Sequence, residues 1–478
     1  MTRKLEKALK PIPPRESVYG VGTSCVAARA ADLPGMVFLK TTDLFPESPK
    51  VFWPPENPEE MRRATREALA GVDMSMIKPG DSVNLLGSHH SWTILGGQPY
   101  TEMLKTIKEV IEERTGCKDI RLRAGVGLRF RETEEYIKRF GLDKVFGPGK
   151  ARGMAPIDEG IPIETEIGTL YGIKRAYDAT WIVHTHNSDV REIHFHRHVD
   201  RAVKPFSMSY ARIESRSTYH HNLGPRGANF TARAIFNSKF VQDKWAFACF
   251  FKPTPAGIVG VTANNDLYAL NREVTALNLA TYGKMMTLLG KVKEAIAVLD
   301  FCAPVPYVFG GGVIYANFCS ANIDLLDLEE PLPSYTWYTE SYYGEDEKPL
   351  LPETPPMNPA IKVCVVNYAW VGYPSVFWAK HTPTIIVGED HARLFREDSQ
   401  NIEFPDYAKE VVPDLDTAMR HAYDMAKTDK VIIFDGAGGG INCSQSLAEE
   451  LLAKAPAVSK EVETTLMPKW LKQRGGAD

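Results

Sequence analysis

Apolar residues recur along this chain in short continuous runs, and between the runs they take helical spacing; that alternation sets the expected architecture. Residues 82–88 (SVNLLGS) predict a strand, and 100–116 (YTEMLKTIKEVIEERTG) predict a helix stopped by Gly116. A strand at 119–126 (DIRLRAGV), a helix at 133–141 (TEEYIKRFG) and a strand at 180–186 (TWIVHTH) continue the series. After the apolar runs AFACFF and IVGVTANN comes a long helical stretch, Leu267–Gly290. Strands EAIAVLDF, KVCVVNY, TIIVGE and KVIIFDGAGGG then alternate with helices LDTAMRHAYDMAK and SLAEELLAK.

Strands alternating with helices predict parallel sheets and an α/β fold. The length, 478 residues, exceeds one ordinary core. The expectation is two α/β domains, 81–266 and 267–478, with mainly parallel sheets and a cleft between them. Residues 1–80 are rich in proline, with a first helix at Pro58–Ala70, and read as an N-terminal arm or wrapping segment. An acidic, proline-rich loop, GEDEKPLLPETPPMNPA, interrupts the second domain.

Composition narrows the partners. A net charge of -4 without a basic face argues against nucleic acid and anionic membrane surfaces, leaving a small molecule. The seven cysteines are scattered and show no CxxC spacing, so reduced, buried thiols are expected rather than a disulfide framework or zinc ribbon. No signal-peptide pattern and no membrane-length apolar run occur, and a cytoplasmic protein is expected. The sequence leaves a homo-oligomer open.

The chemistry concentrates in 181–221, which holds seven of the twelve histidines. Imidazole titrates near neutrality and is the commonest metal ligand, so such clustering marks a candidate site. Lys204 beside these imidazoles is a candidate nucleophile or covalent anchor, and His220 a candidate metal ligand. A solvated polar helix is the competing reading of HFHRHVDR. His89, His90, Arg129, His184 and His186 are expected at the carboxyl ends of strands, where ligands bind in such sheets. The glycine-rich FGGGV and DGAGGGI lack dinucleotide spacing and read as tight turns.

The separations His194 to Lys204, ten residues, and Lys204 to His220, sixteen residues, resemble those of the nickel-dependent lactate racemase family. RLRAGVGLRFRETEEYIKRFGLDKVF, IKRAYDATWIVHTH and LDTAMRHAYDMAKTDKVIIFDGAGGGI are similar to family segments in the same order. The resemblance implies a nickel-pincer nucleotide (pyridinium-3-thioamide-5-thiocarboxylate mononucleotide) attached covalently to Lys204, with nickel completed by His220 and His194 as an acid/base. It implies racemisation or epimerisation of a 2-hydroxy acid, in which hydride leaves and returns to the opposite face.

Departures from the family reshape that expectation. Arg129 stands where the second catalytic histidine would be, and a guanidinium cannot act as a base but clamps a carboxylate well. Ser88-His89-His90-Ser91-Trp92 replaces the substrate-binding motif, so His89 or His90 is expected to supply acid/base function and Trp92 to contact a substrate larger than lactate, such as a sugar acid. The alternatives are a hydrolase or lyase with a histidine-bound zinc or iron centre, and a non-catalytic ligand-binding homologue.

Overall fold

A computed structural model of the chain describes residues 28–52, 58–92, 98–125, 132–187, 202–218, 228–301, 324, 326–329, 358–369, 376–397, 402–435 and 439–474. The chain divides into two compact units, one of residues 49–190 and 198–278 and one of 1–48, 191–197 and 279–478. The division falls inside the helix Leu267–Gly290, after Asn278.

The N-terminal segment expected as an arm is shared between them. Strand β1 (Met36–Lys40) belongs to the sheet of the second unit, whereas α1 (Pro58–Leu69) buries Met61, Ala64 and Leu69 in the core of the first. Its first turn carries Glu59 and Glu60, which favours helix initiation at that end.

The first unit is built on a six-stranded sheet: β2 (Ser82–Ser88), β3 (Asp119–Gly125), β4 (Ala151–Met154), β7 (Trp181–Asn187), β8 (Trp245–Thr254) and β9 (Gly257–Asn264). Its order is β4-β3-β2-β7-β8-β9, parallel except for β9, which returns antiparallel against β8. A separate hairpin, β5 (Gly160–Thr165) and β6 (Gly168–Ile173), lies between β4 and β7 in sequence. Alternate residues of each strand face opposite sides. Val183, Phe247, Cys249 and Phe251 enter one core with Met103, Leu104 and Ile107 of the helix Gln98–Thr115, and Ile182, Ala248 and Phe250 enter a second core with Phe206, Ile235 and Phe236.

The second unit holds seven strands: β1, β10 (Ala295–Phe301), β11 (Ile361–Ala369), β12 (Thr384–Val387), β13 (Glu410–Val412), β14 (Val431–Phe434) and β15 (Gly440–Ser444). The order is β1-β15-β14-β10-β11-β12-β13. Strands β10 to β14 run parallel, and β15 is antiparallel to both β14 and β1. Both units are therefore α/β with mainly parallel sheets, as the alternation of strands and helices predicts. Among the described residues no helix is long and apolar enough to cross a membrane.

Candidate functional site

In the first unit the chain leaves β2 toward β3 and β4 on one side and returns to β7 and β8 on the other, so the strand order reverses between β2 and β7. Beyond the carboxyl ends of strands flanking such a switch point, the diverging loops leave a crevice for ligands. Ser88 ends β2 and is followed directly by a one-turn helix, His89–Trp92; Gly125 ends β3 and Asn187 ends β7. The backbone amide of Asn187 donates to Ser91 Oγ at 3.1 Å, tying the turn that carries His89 and His90 to the end of β7.

A segment from Ala202 to Ala211 is fastened to these ends. His184, wholly buried on β7, donates from Nε2 to the Ala202 carbonyl at 2.8 Å; a carbonyl only accepts, so this fixes the tautomer. Nδ1 then accepts from the Tyr210 hydroxyl at 3.0 Å. Burial pushes the imidazole down to about 3, opposed by the Ala202 bond, and raises the Tyr210 phenol well above its ordinary value. At working pH the pair is neutral and fixed. Phe206 and Phe250 pack edge-on against the His184 ring, with centroids at 5.3 and 5.1 Å.

The same segment reaches β2 and β3. Ser209 Oγ lies 3.4 Å from Ser88 Oγ, and the Ser209 carbonyl passes so close to Gly125 that a Cβ there would meet its oxygen at 2.1 Å. Gly125 is thus needed for a close approach rather than for a turn. Lys204 opens a short helix, Lys204–Ser207, inside this clamped segment and is half-buried.

The sequence-expected residues fare differently. Lys204 stands on the clamped segment, and the backbone of His89 and His90 lies in the turn after β2. His194, Arg129 and His220 lie outside the described residues. Trp92, expected to touch substrate, is wholly buried in the apolar core: its indole N–H donates to Thr101 Oγ1 at 3.3 Å, and its ring stacks on Tyr136 with centroids 5.8 Å apart. These contacts are those of a packing residue. Among the described residues no three His, Cys, Asp or Glu side chains converge as a metal site.

No family model matches this chain, and no curated protein matches it significantly.

Sequence reading did not single out Tyr210 or Arg216. Arg216 is buried, its Nε donates to the Ala211 carbonyl at 3.1 Å, and burial lowers the guanidinium to about 9. A charged residue four positions before the His220–His221 pair was the available signal. The four described cysteines, Cys117, Cys249, Cys364 and Cys443, are free and buried.

Proposed function

We propose that the chain is an isomerase that racemises or epimerises a 2-hydroxy acid, of the kind represented by the nickel-dependent lactate racemases. The observation that carries this reading is the clamping of the Lys204 segment at the β2/β7 switch point by His184 and Tyr210. A covalent anchor needs an amine held at a ligand crevice on a rigid support, and a half-buried lysine on such a segment suits it. The spacing of His194, Lys204 and His220 supplies the other support.

In this reading Lys204 would hold the nickel-pincer nucleotide and His220 would ligate its nickel. When bound, that group supplies the acceptor and donor of hydride. The chain's own residues bind the acid and move its hydroxyl proton. His194, with His89 or His90, takes and returns that proton, while Arg129 grips the carboxylate. His184 orients and carries no proton, because it stays neutral down to about pH 3. The partner is a small hydroxy acid, larger than lactate, and the setting cytoplasmic.

The test is protein purified from cells able to make the cofactor. Elemental analysis is expected to give nickel, peptide mass spectrometry a covalent increment on Lys204, and chiral chromatography inversion of a hydroxy acid that His194→Ala abolishes. Zinc or iron with an unmodified lysine, or neither metal nor increment, would overturn the reading.

A further inference from the structure

The helix that follows β2, His89–Trp92, is a single turn, and a single turn fixes several dihedral angles for very few hydrogen bonds, so it does not hold its own direction. Its direction has to come from its neighbours. Tyr100, in the first turn of the helix Gln98–Thr115, is wholly buried against the end of β2: a Cβ added to Gly87 would meet the Tyr100 hydroxyl at 3.0 Å.

The polarity of the bonds around that hydroxyl follows from counting hydrogens. Thr185 Oγ1, on β7, donates its only hydrogen to the Leu86 carbonyl at 2.8 Å. In the 2.6 Å contact between Thr185 Oγ1 and the Tyr100 hydroxyl, Tyr100 is therefore the donor. Its oxygen remains free to accept, and hydrogen bonds with the Ser88 backbone and the Ser91 hydroxyl favour the charged phenol, although burial outweighs them and raises Tyr100 far above its ordinary value. Ser91 Oγ itself accepts from the Asn187 amide at 3.1 Å. A chain of bonds thus runs from the end of β7 through Ser91 and Tyr100 to Thr185 and β2, with Tyr100, Ser91 and Thr185 each no more than 1% exposed. The ring of Tyr100 meets the last residue of the turn as well, edge-on to Trp92 with centroids 4.7 Å apart.

We propose that Tyr100 is a positioning residue for the turn that carries His89 and His90: its hydroxyl fixes Ser91, its ring fixes Trp92, and the backbone of the two histidines is set by both. The inference rests on the proposed function, in which His89 or His90 moves the hydroxyl proton of the substrate. Tyr100 moves no proton itself, because burial keeps the phenol neutral at working pH.

The experiment compares Tyr100→Phe, which keeps the ring and loses the hydroxyl, with Ser91→Ala and with the double variant, all in the full chain. Histidines labelled with carbon-13 are titrated by nuclear magnetic resonance, the His89 and His90 signals being assigned with His89→Gln and His90→Gln. Each single variant is expected to shift the His89 and His90 signals and leave those of His391 and His421 in place, and the double variant to shift them no further, because the two residues act through one bond. A phenol that only filled space would lower stability and leave these titrations unmoved. Where wild type turns over a 2-hydroxy acid, Tyr100→Phe is expected to lower kcat about tenfold with KM unchanged. Unshifted His89 and His90 signals in either folded single variant, or full additivity in the double variant, would overturn the proposal. The expected shifts without any turnover by wild type would remove the proposed function and leave Tyr100 as the residue that sets the turn.

Discussion

His184 Nε2 donates to the carbonyl of Ala202 across 2.8 Å, so a strand in the middle of the sheet holds the chain two residues before Lys204. Replacing His184 by Phe keeps an aromatic ring and removes both bonds, leaving the Ala202 carbonyl and the Tyr210 hydroxyl without these partners. Each such orphan costs about 1–3 kcal/mol. The expected outcome is a chain less stable by a few kcal/mol in urea denaturation and, on the proposal that Lys204 is a covalent anchor, a smaller mass increment on it even where the fold survives.

The contributions of His184 and Asp300 to the pH dependence of stability are expected to have opposite signs. An unfolded histidine takes up a proton near its ordinary 6.5, whereas folded His184 refuses one until about 3. Between these values the unfolded state holds more protons, so stability falls as pH drops, by about 1.4 kcal/mol per pH unit. Asp300 behaves the other way: burial first, and then the charge of Asp435, raise it from 3.8 to about 6. Through that window the folded state holds the extra proton, and stability falls as pH rises. Hydrogen exchange of β7 and β10 followed across the acid range should differ between wild type and variant: His184→Phe is expected to remove a weakening of β7 toward low pH, and Asp435→Asn to reduce a weakening of β10 toward neutral pH.

Gly125→Ala is expected to disturb the Lys204 segment without touching it. The added carbon would meet the Ser209 carbonyl oxygen at 2.1 Å, and backbone cannot rotate away as a side chain can. Overpacking of this kind costs about 1–3 kcal/mol. Chemical denaturation should register that loss, and limited proteolysis should find new cleavage between Ala202 and Ala211.

Thiol chemistry offers a check on both cores. Of seven cysteines in the chain, Cys117, Cys249, Cys364 and Cys443 are buried, and burial raises Cys249, Cys364 and Cys443 far above the usual thiol range, Cys443 to about 12. Only thiolates react. A colorimetric thiol reagent should therefore label no more than three groups on the native chain, and all seven once it is unfolded.

Most of the strands and long helices were legible because each buries a continuous apolar run or stripe: 82–88, 119–126, 180–186 and the run KVIIFD read as strands on that ground, within a residue or two of the observed ends. The hairpin Gly160–Thr165 and Gly168–Ile173 was not, since exposed and buried residues mix along it without a regular period. Strand β1 was hidden in a proline-rich segment, and its pairing depends on β15 at the other end of the chain. Of the site, histidine density pointed to β7 and its surroundings, but His184 could not be told apart as a clip rather than a proton carrier, because that follows from Ala202 and Tyr210.

The pairing of β1 with β15 bears on how the protein is made. Met36 meets Ser444 and Lys40 meets Gly440, so β1 is synthesised about 400 residues before its partner. The unit formed by 49–190 and 198–278 is complete on the ribosome long before then. Maturation is thus expected in two stages: an early, self-contained unit, then a slow closure across about 400 residues, before which β1 is an unsatisfied edge that chaperones would be called on to shield.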